Sequence, residues 1–213
     1  MSDIIHCWSC QSETDAKAFF CKQCHIIQPP LQQNPFDILG IMEDFDIDEK
    51  LVEKQYFEQQ KQLHPDRFAT KTSKEKMYAL AQATALNDAY SILKKPIDRA
   101  DYLCVTFGGT SYKDDANNRN VLPEILMESM MQREALSQAN DEASLQKMFK
   151  DNKAKQQQLC ENISQDYKAK DTQNMQNHIL SLQYTNRFTQ EIQAKIAKLK
   201  GNSTTSVPMA SPL

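Results

Sequence analysis

The sequence is poor in glycine and in the features that mark strands, membrane spans and strongly charged surfaces. It has 213 residues but only 4 glycines, and polar–apolar alternation is hard to find. Apolar runs stay well short of the roughly 18 residues that a spanning helix needs. The formal net charge of −3 argues against nucleic acid or a membrane as partner. Long stretches rich in Lys, Glu, Gln, Ala, Leu and Met instead predict an all-α protein.

The N-terminus, MSDIIHCWSC, lacks the marks of a targeting segment. It has neither the basic and apolar regions of a secretory signal nor the Arg- and Ser-rich composition of an organelle presequence. We therefore expect the chain to remain in the compartment where it is made, unless a presequence has already been removed.

Four of the six cysteines lie within residues 1–27, in two CxxC pairs. Cys7 and Cys10 form the first pair, and Cys21 and Cys24 follow after ten intervening residues. Two such pairs place four thiolates at the corners of a tetrahedron, the geometry that zinc prefers. So short a segment has too little core to fold alone, so metal binding would supply its folding free energy. We predict one structural zinc ion, with tetrathiolate iron or a redox-active dithiol as alternatives.

The other histidines and cysteines considered are not expected to bind the metal. His6 and His25 flank the CxxC pairs and are expected at the surface or behind the ligands, because four sulfur atoms already complete the shell. Cys104 and Cys160 stand alone in the sequence and are predicted to be small buried apolar residues.

Capping residues and helix stops predict the helices of the remaining chain. A Pro- and Gln-rich linker, 28–34, precedes them, and the tail, 201–213, is expected to be disordered. The first predicted helix is short, is capped by Asn34, starts with Pro35 and ends at Gly40. The second is capped by Asp46 with Glu49 and runs to Leu63, and the third is capped by Thr72 with Glu75 and runs to about Lys95. A fourth helix runs from Pro96 through Cys104, and two or three longer helices are predicted over 121–200.

The predicted helix over 50–63 has an apolar and a basic face, and it leads into an exposed tripeptide. The faces carry Val52, Tyr56 and Leu63 on one side and Lys50, Lys54 and Lys61 on the other. The basic face is either solvated surface or a docking surface for an acidic partner. Proline disfavours helix in the residue before it, so the helix should stop at His64, leaving His64-Pro65-Asp66 exposed. No nucleophile or second carboxylate is spaced to make His64 catalytic.

The first long helix after residue 120 is apolar on more than one side. The first predicted stripe contains Leu122, Ile125, Ser129 and Leu136. The second contains Leu126, Met127, Met130 and Met131. One stripe is enough to pack into a three-helix bundle. We predict that the second stripe is exposed as a partner site, with a fully buried central helix as the alternative.

The stretch from NPFDILGI through the HPD tripeptide to ALNDAYSIL resembles a J-domain, the module of DnaJ-type co-chaperones. The resemblance implies an antiparallel helix pair whose connecting loop and basic helix bind a DnaK-class chaperone and stimulate its ATP hydrolysis. It assigns chaperone binding to His64, Pro65, Asp66, Lys54, Lys61 and Arg67.

Three further stretches resemble one branch of J-proteins, the HscB/Jac family of iron–sulfur cluster co-chaperones. They are PIDRADYL at 96–103, ILMESMMQRE at 125–134 and the CWSC…CKQC pairs of its zinc-bearing members. The resemblance implies that an IscU-type scaffold binds Leu126, Met127, Met130, Glu134 and Tyr184. The family's bacterial pattern has acidic residues where this chain has Met131 and Ala135, so apolar contact is expected to replace part of the charge recognition.

Together, these features predict an all-α fold with a zinc-binding module at 1–27, a J-domain at 34–108 and a C-terminal three-helix bundle at 118–200. The expected function is that of a co-chaperone, not an enzyme, in the bacterial cytoplasm or the mitochondrial matrix. It would bring an IscU-type scaffold to a HscA/DnaK-type chaperone. A general J-protein for unfolded clients is the alternative. A zinc-ribbon nucleic-acid binder is disfavoured because residues 1–27 carry two lysines against three acidic residues.

Overall fold

A computed structural model describes residues 4–31, 34–115 and 121–203, without the side chains of 114, 115 and 201–203. The regular secondary structure of the described chain is helical apart from one small sheet, which confirms the predicted all-α class. The chain divides into two compact units, Met1–Arg99 and Ala100–Leu213. Residues 201–203 of the predicted disordered tail instead end α8, and the rest of that tail, from 204 onward, lies outside the described residues. The elements are β1 (Ile4–His6), β2 (Glu13–Asp15), α1 (Pro35–Leu39), α2 (Glu49–Leu63), α3 (Ser73–Lys94), α4 (Pro96–Thr106), α5 (Tyr112–Asp115), α6 (Pro123–Gln138), α7 (Glu142–Ala169) and α8 (Thr172–Ser203).

Helices α2 and α3 form an antiparallel pair. In the middle of α2, Tyr56 stacks on Tyr90 of α3 with ring centroids 3.9 Å apart, and its hydroxyl donates to Asn87. At the end of α2, Leu63 lies beside Ala79, near the start of α3. Because Leu63 is buried and the next residue precedes a proline, the chain leaves α2 at a fixed point and turns directly into the loop.

Most predicted helix ends of Met1–Arg99 are confirmed, but one cap is wrong. Asn34 caps α1 and Gly40 ends it in the left-handed conformation, at φ 65°. The start of α2 is capped by Asp48, whose carboxylate accepts from the amide of Lys50. The predicted cap, Asp46, instead lies in a turn where its amide donates to Asp44.

A buried arginine holds the start of α2 against the end of α3. Arg99 donates from Nε to the carbonyl of Phe45 at 2.8 Å and from its guanidinium to the carbonyl of Leu93. Phe45 is itself buried, with the guanidinium over its ring. The Arg99 charge is therefore solvated by backbone oxygens instead of water, as burial requires.

In Ala100–Leu213, α6, α7 and α8 form the predicted three-helix bundle. Its core includes a cluster of Leu136, Leu145, Phe188 and Ile192, one or more from each helix. The buried Asp101 of α4 accepts from the hydroxyl of Ser111 and the amide of Tyr112, which fixes the start of α5. Within the described ranges, no helix is both long and apolar enough to cross a membrane.

The capping box at the start of α3 gives a stability test. Thr72 accepts from the Glu75 amide, and the Glu75 carboxylate accepts from the Thr72 amide and hydroxyl. Thr72→Ala should lower the free energy of unfolding by about 1 kcal/mol in urea melts at pH 7. Thr84→Ala removes an exposed threonine of the same helix and should change it by less than about 0.5 kcal/mol.

The effect of Thr72→Ala should also depend on pH. Hydrogen bonds from the Thr72 side chain, then its backbone, lower the pKa of Glu75, so this contribution is present above the ordinary glutamate pKa. It is lost as the pH falls through the lowered pKa. The difference between wild type and Thr72→Ala should therefore shrink on acidification, and a constant difference would contradict the capping box as its source.

Candidate functional site

The four cysteines of the N-terminal segment come together as predicted. Their Sγ atoms all lie within 4.8 Å of one another. Two of these separations are 3.6 Å, between Cys7 and Cys24, and 3.7 Å, between Cys10 and Cys21. A tetrahedron with metal–sulfur bonds of about 2.3 Å has edges of about 3.8 Å. The four thiols therefore fit one tetrahedral metal ion, and the geometry is compatible with zinc.

Each CxxC pair is shaped by the same turn. In the first, Gln11 donates its amide to the carbonyl of Cys7, and in the second His25 donates to the carbonyl of Cys21. Both donors occupy the left-handed region, with φ 62° at Gln11 and 56° at His25. The repeated turn points both cysteines of each pair toward one centre, which is the role of a metal-binding knuckle.

Hydrogen-bond donors surround the sulfur atoms. The amides of Ser9 and Gln23 lie 3.4 Å from Cys7 Sγ and Cys21 Sγ, and the Gln28 side chain donates to Cys7 Sγ. The hydroxyl of Ser12 lies 2.9 Å from Cys10 Sγ and 3.4 Å from Cys21 Sγ. Donors placed in this way stabilise thiolates, the form that binds metal.

The thiol pKa values reflect this environment. The Ser12 hydroxyl, followed by backbone amides, lowers the pKa of Cys21 to about 6. At Cys24, a backbone hydrogen bond at Ile26 lowers the pKa, but burial and the other three sulfur atoms outweigh it and raise the pKa to about 12. Four thiolates at this spacing repel one another, so a cation among them would relieve that repulsion.

The cysteine segment packs directly on α3. Trp8 meets Tyr78 edge to face, with ring centroids 5.8 Å apart, and Lys74 Nζ lies 4.1 Å from the Trp8 ring centroid. Gln28, first residue of the predicted linker, is buried, and its carbonyl accepts from Gln82 of α3. The cysteine segment is therefore attached to α3 by side-chain packing as well as by the chain.

The remaining histidine and cysteine predictions are mostly confirmed. His6 and His25 are exposed and lie outside the four-sulfur group. Cys104 is fully buried, and burial raises its pKa to about 11. The prediction of a buried residue was wrong for Cys160, which is only partly buried. Its position is beside the core-facing side of α7 and not on it.

The HPD loop is exposed, as predicted, and ordered by local hydrogen bonds. Residues 65–68 form a single 3-10 turn in which the amide of Asp66 donates to His64 Nδ1 and that of Arg67 to the His64 carbonyl. Phe68 is buried and anchors the end of the turn. His64, Pro65 and Asp66 therefore project into solvent from a fixed backbone.

The basic residues assigned beside the loop are also exposed. Lys54 and Lys61 lie on the outer face of α2, and Arg67 lies within the turn. Lys54 has Glu58 at 4.0 Å, one helical turn away, and both side chains are more than half exposed. Such a pair is weak, so this lysine remains available to a partner.

The second stripe of α6 is exposed, which confirms the predicted surface. We call it the α6 patch: Leu126, Met127, Met130 and Met131, with 43%, 65%, 71% and 65% of each residue exposed. In the first stripe Ser129 and Leu136 are buried and Ile125 is partly buried. Leu122 is 38% exposed, against expectation, because it precedes the helix as its cap residue.

The other two predicted scaffold-binding residues lie on different sides of α6. Tyr184 of α8 is partly buried and borders a cleft that also includes Ile125 and Ser129. Glu134 is exposed on α6 itself. Tyr184 is thus close to α6 but on its α8 side.

Comparison with known proteins places the chain in a family. Residues 34–102 match the DnaJ domain family, and 121–193 match the family described as the HSCB C-terminal oligomerisation domain. The iron–sulfur cluster co-chaperone protein HscB homolog of Arabidopsis thaliana is 30% identical over 191 residues, covering 89% of this chain and 74% of that protein. The chain belongs to the HscB family of iron–sulfur cluster co-chaperones.

Other members of the HscB family agree. The mouse iron–sulfur cluster co-chaperone protein HscB is 28% identical over 195 residues, covering 87% of this chain and 80% of the mouse protein. The crystal structure of the human co-chaperone protein HscB superposes with a TM-score of 0.80 at 26% identity, covering 90% of this chain and 98% of the human one. The resemblance inferred from the motifs is confirmed, and the HPD loop and α6 patch lie within the two matched domains.

Sequence reasoning missed the residues that surround the four clustered cysteines. Ser12, Gln28 and Trp8 are common residue types, and their roles depend on contacts across the folded module. Trp8 has one clue, because an aromatic residue inside a CxxC pair is expensive to leave exposed. For Ser12 and Gln28 the sequence has no comparable clue.

Ser12 gives a test of the metal site. Ser12→Ala removes the hydroxyl beside two sulfur atoms and should weaken binding of cobalt(II), used as a spectroscopic probe, by about tenfold. Ser9→Ala is the matched control, because Ser9 contributes its backbone amide to Cys7 Sγ and should bind cobalt as the wild type does. Equal affinities in both variants would show that the Ser12 hydroxyl does not support the site.

Proposed function

We propose that this chain carries an IscU-type scaffold protein to a HscA/DnaK-type chaperone and stimulates the ATPase of that chaperone. The observation that carries the proposal is the α6 patch: four large apolar side chains exposed on consecutive turns of a helix in the HscB-specific domain. Exposed apolar clusters of this kind mark partner sites. The scaffold would bind there while the HPD loop engages the chaperone.

The HPD loop acts by contact and performs no proton chemistry. His64, Pro65 and Asp66 are held in one conformation by the turn that follows them, so little conformational entropy is lost when the chaperone binds. Lys54, Lys61 and Arg67 give the adjoining surface a positive charge that suits an acidic surface of the chaperone. That contribution should weaken as salt concentration rises.

The scaffold site combines the α6 patch with neighbouring groups. Leu126, Met127 and Met130 supply apolar contact, and methionine adapts its shape to a partner. Tyr184 adds an aromatic ring on the α8 side, and Glu134 adds a charge at the edge. Because the chain has Met131 and Ala135 where bacterial members have acidic residues, most of the binding free energy comes from apolar burial.

Joining two binding surfaces in one chain is itself part of the mechanism. A scaffold bound to the C-terminal domain and a chaperone bound to the HPD loop have a raised effective concentration for each other. Neither site then needs high affinity. ATP hydrolysis would trap the chaperone on the scaffold and favour release of the cluster to acceptors.

For the metal module we propose one zinc ion bound by Cys7, Cys10, Cys21 and Cys24. Four protein sulfurs leave no open position for substrate, so the ion has a structural role. It would supply the folding free energy that a segment of this size lacks, and Trp8 would transmit that order to α3. The protein would act in the compartment that contains both proposed partners, which is either the bacterial cytoplasm or the mitochondrial matrix.

The first test is the steady-state ATPase of a HscA/DnaK-type chaperone with this chain, with and without an IscU-type scaffold. Wild type should stimulate hydrolysis synergistically with scaffold, and His64→Gln should abolish the stimulation. His25→Gln is the matched control, since Gln11 already occupies the equivalent left-handed position in the first knuckle. Stimulation of the ATPase that is the same with and without the scaffold would indicate a general J-protein. Stimulation by His64→Gln would contradict the role of the loop.

The second test measures scaffold binding by calorimetry. Met130→Ser removes the most exposed side chain of the α6 patch and should weaken binding by about tenfold or more, because burial of a methionine contributes about 1.5–3 kcal/mol. Met42→Ser changes a methionine that is 87% exposed in Met1–Arg99 and should have no effect. Equal affinity of the two variants would contradict the patch as the scaffold site.

A further inference from the structure

A groove lies beside the α6 patch, between α6 and α7. Its cavity volume is about 770 Å³, and its walls include Met127, Met131 and Ala135 of α6, Met148 of α7 and Phe188 of α8. Met127 and Met131 also belong to the α6 patch, so the exposed apolar surface continues around α6 into the groove. The small side chain of Ala135 keeps it open.

The polar groups of the groove have a distinct arrangement. Lys155 is already paired with Glu128 across the two helices. Glu124 and Asp151 also border the groove and make no ion pair with the residues that the structure describes. The border therefore carries an excess of negative charge around apolar walls.

One buried polar atom is left unpartnered at the groove. Asn152 is 4% exposed and donates its amide hydrogens to the carbonyl of Thr185 and the hydroxyl of Thr189. Its Oδ1 has no hydrogen-bond partner among the described residues. An unpartnered buried acceptor costs about 1–3 kcal/mol, so the packing of α7 on α8 beside the groove leaves one polar atom unsatisfied.

We infer that this groove is a second contact for the scaffold and receives a large apolar side chain flanked by Lys or Arg. Methionine and phenylalanine walls suit the apolar side chain, and the acidic border suits the basic neighbour. This inference rests on the proposed function, because it extends the same interface. The scaffold would then hold α6 from both sides, at Tyr184 toward α8 and at Met148 toward α7.

Methionine methyl NMR tests the inference directly. In full-length protein labelled at methionine methyl groups, titration with apo IscU-type scaffold should shift Met148, which lines the groove and lies outside the α6 patch. Met130 should also shift, as the patch reporter, whereas Met42 of Met1–Arg99 and the fully buried Met175 should stay unchanged. A shift of Met130 with none at Met148 would overturn the groove contact and leave the proposed scaffold site intact.

Matched alanine substitutions separate the groove from the patch. Ala135→Trp fills the groove from an exposed helical position and should weaken scaffold binding by about tenfold in calorimetry. Ala143→Trp makes the same change at an exposed position of α7 outside the groove and should bind as wild type. Unchanged binding by Ala135→Trp, with weakened binding by Met130→Ser, overturns the groove contact alone. No binding by wild type refutes the proposed function and the groove contact together.

Two other occupants would give different results without scaffold. A Met148 shift that depends on the concentration of this chain alone, with a matching rise in sedimentation coefficient, would assign the groove to a second copy. A Met148 shift on removal of residues 204–213 would assign it to the chain's own tail. Either result would overturn the inference.

Discussion

The packing of α3 is the constraint on which the rest of Met1–Arg99 depends. Its buried residues face α1 and α2, its capping box fixes where it begins, and its outer surface receives Trp8 of the metal module. The HPD loop is the connection into this helix, anchored by Phe68. A loop proposed to bind a chaperone must be exposed and still hold one conformation, and a connection between two packed helices satisfies both conditions.

In the C-terminal unit, helix α6 carries exposed apolar side chains and must still stay packed on the bundle. Helix α6 is fixed by Leu136 in the core and by ion pairs on two sides, from Arg133 to Glu191 and from Lys155 to Glu128. Exposed ion pairs contribute little each. Together with Leu136 they set the orientation of α6, so its apolar patch faces outward instead of collapsing into the bundle.

Local signals in the sequence predicted much of this structure. The caps at Asn34 and Thr72, the stop before Pro65 and the two CxxC pairs depend on neighbouring residues, so they were readable without tertiary contacts. Asp46 fits the same capping pattern, but the prediction that it caps α2 was wrong. Arg99 holds the carbonyl of Phe45 and Phe45 is buried, so the chain stays in a turn there and α2 begins later, at Glu49 with Asp48 as its cap.

What the sequence could not reveal was the set of contacts between distant residues. The burial of Gln28 against Gln82 and the groove beside Met148 join residues far apart in the chain, and the Ser12 hydroxyl lies between sulfur atoms of the two different CxxC pairs. Helical periodicity predicted two apolar stripes on α6 and an exposed second stripe, but it could not by itself reject the alternative of a helix buried on both sides. That depends on where α8 lies, and only the packed bundle supplies it.

The two proposed partner surfaces should differ in their physics, and this follows from composition. The chaperone surface is basic, with Lys54, Lys61 and Arg67, so its association rate should fall with salt. The scaffold surface has methionine and alanine at 131 and 135, where bacterial members carry acidic residues, so its binding should depend less on salt and show a negative heat-capacity change. Rising ionic strength would then slow chaperone engagement more than it weakens the apolar part of scaffold binding.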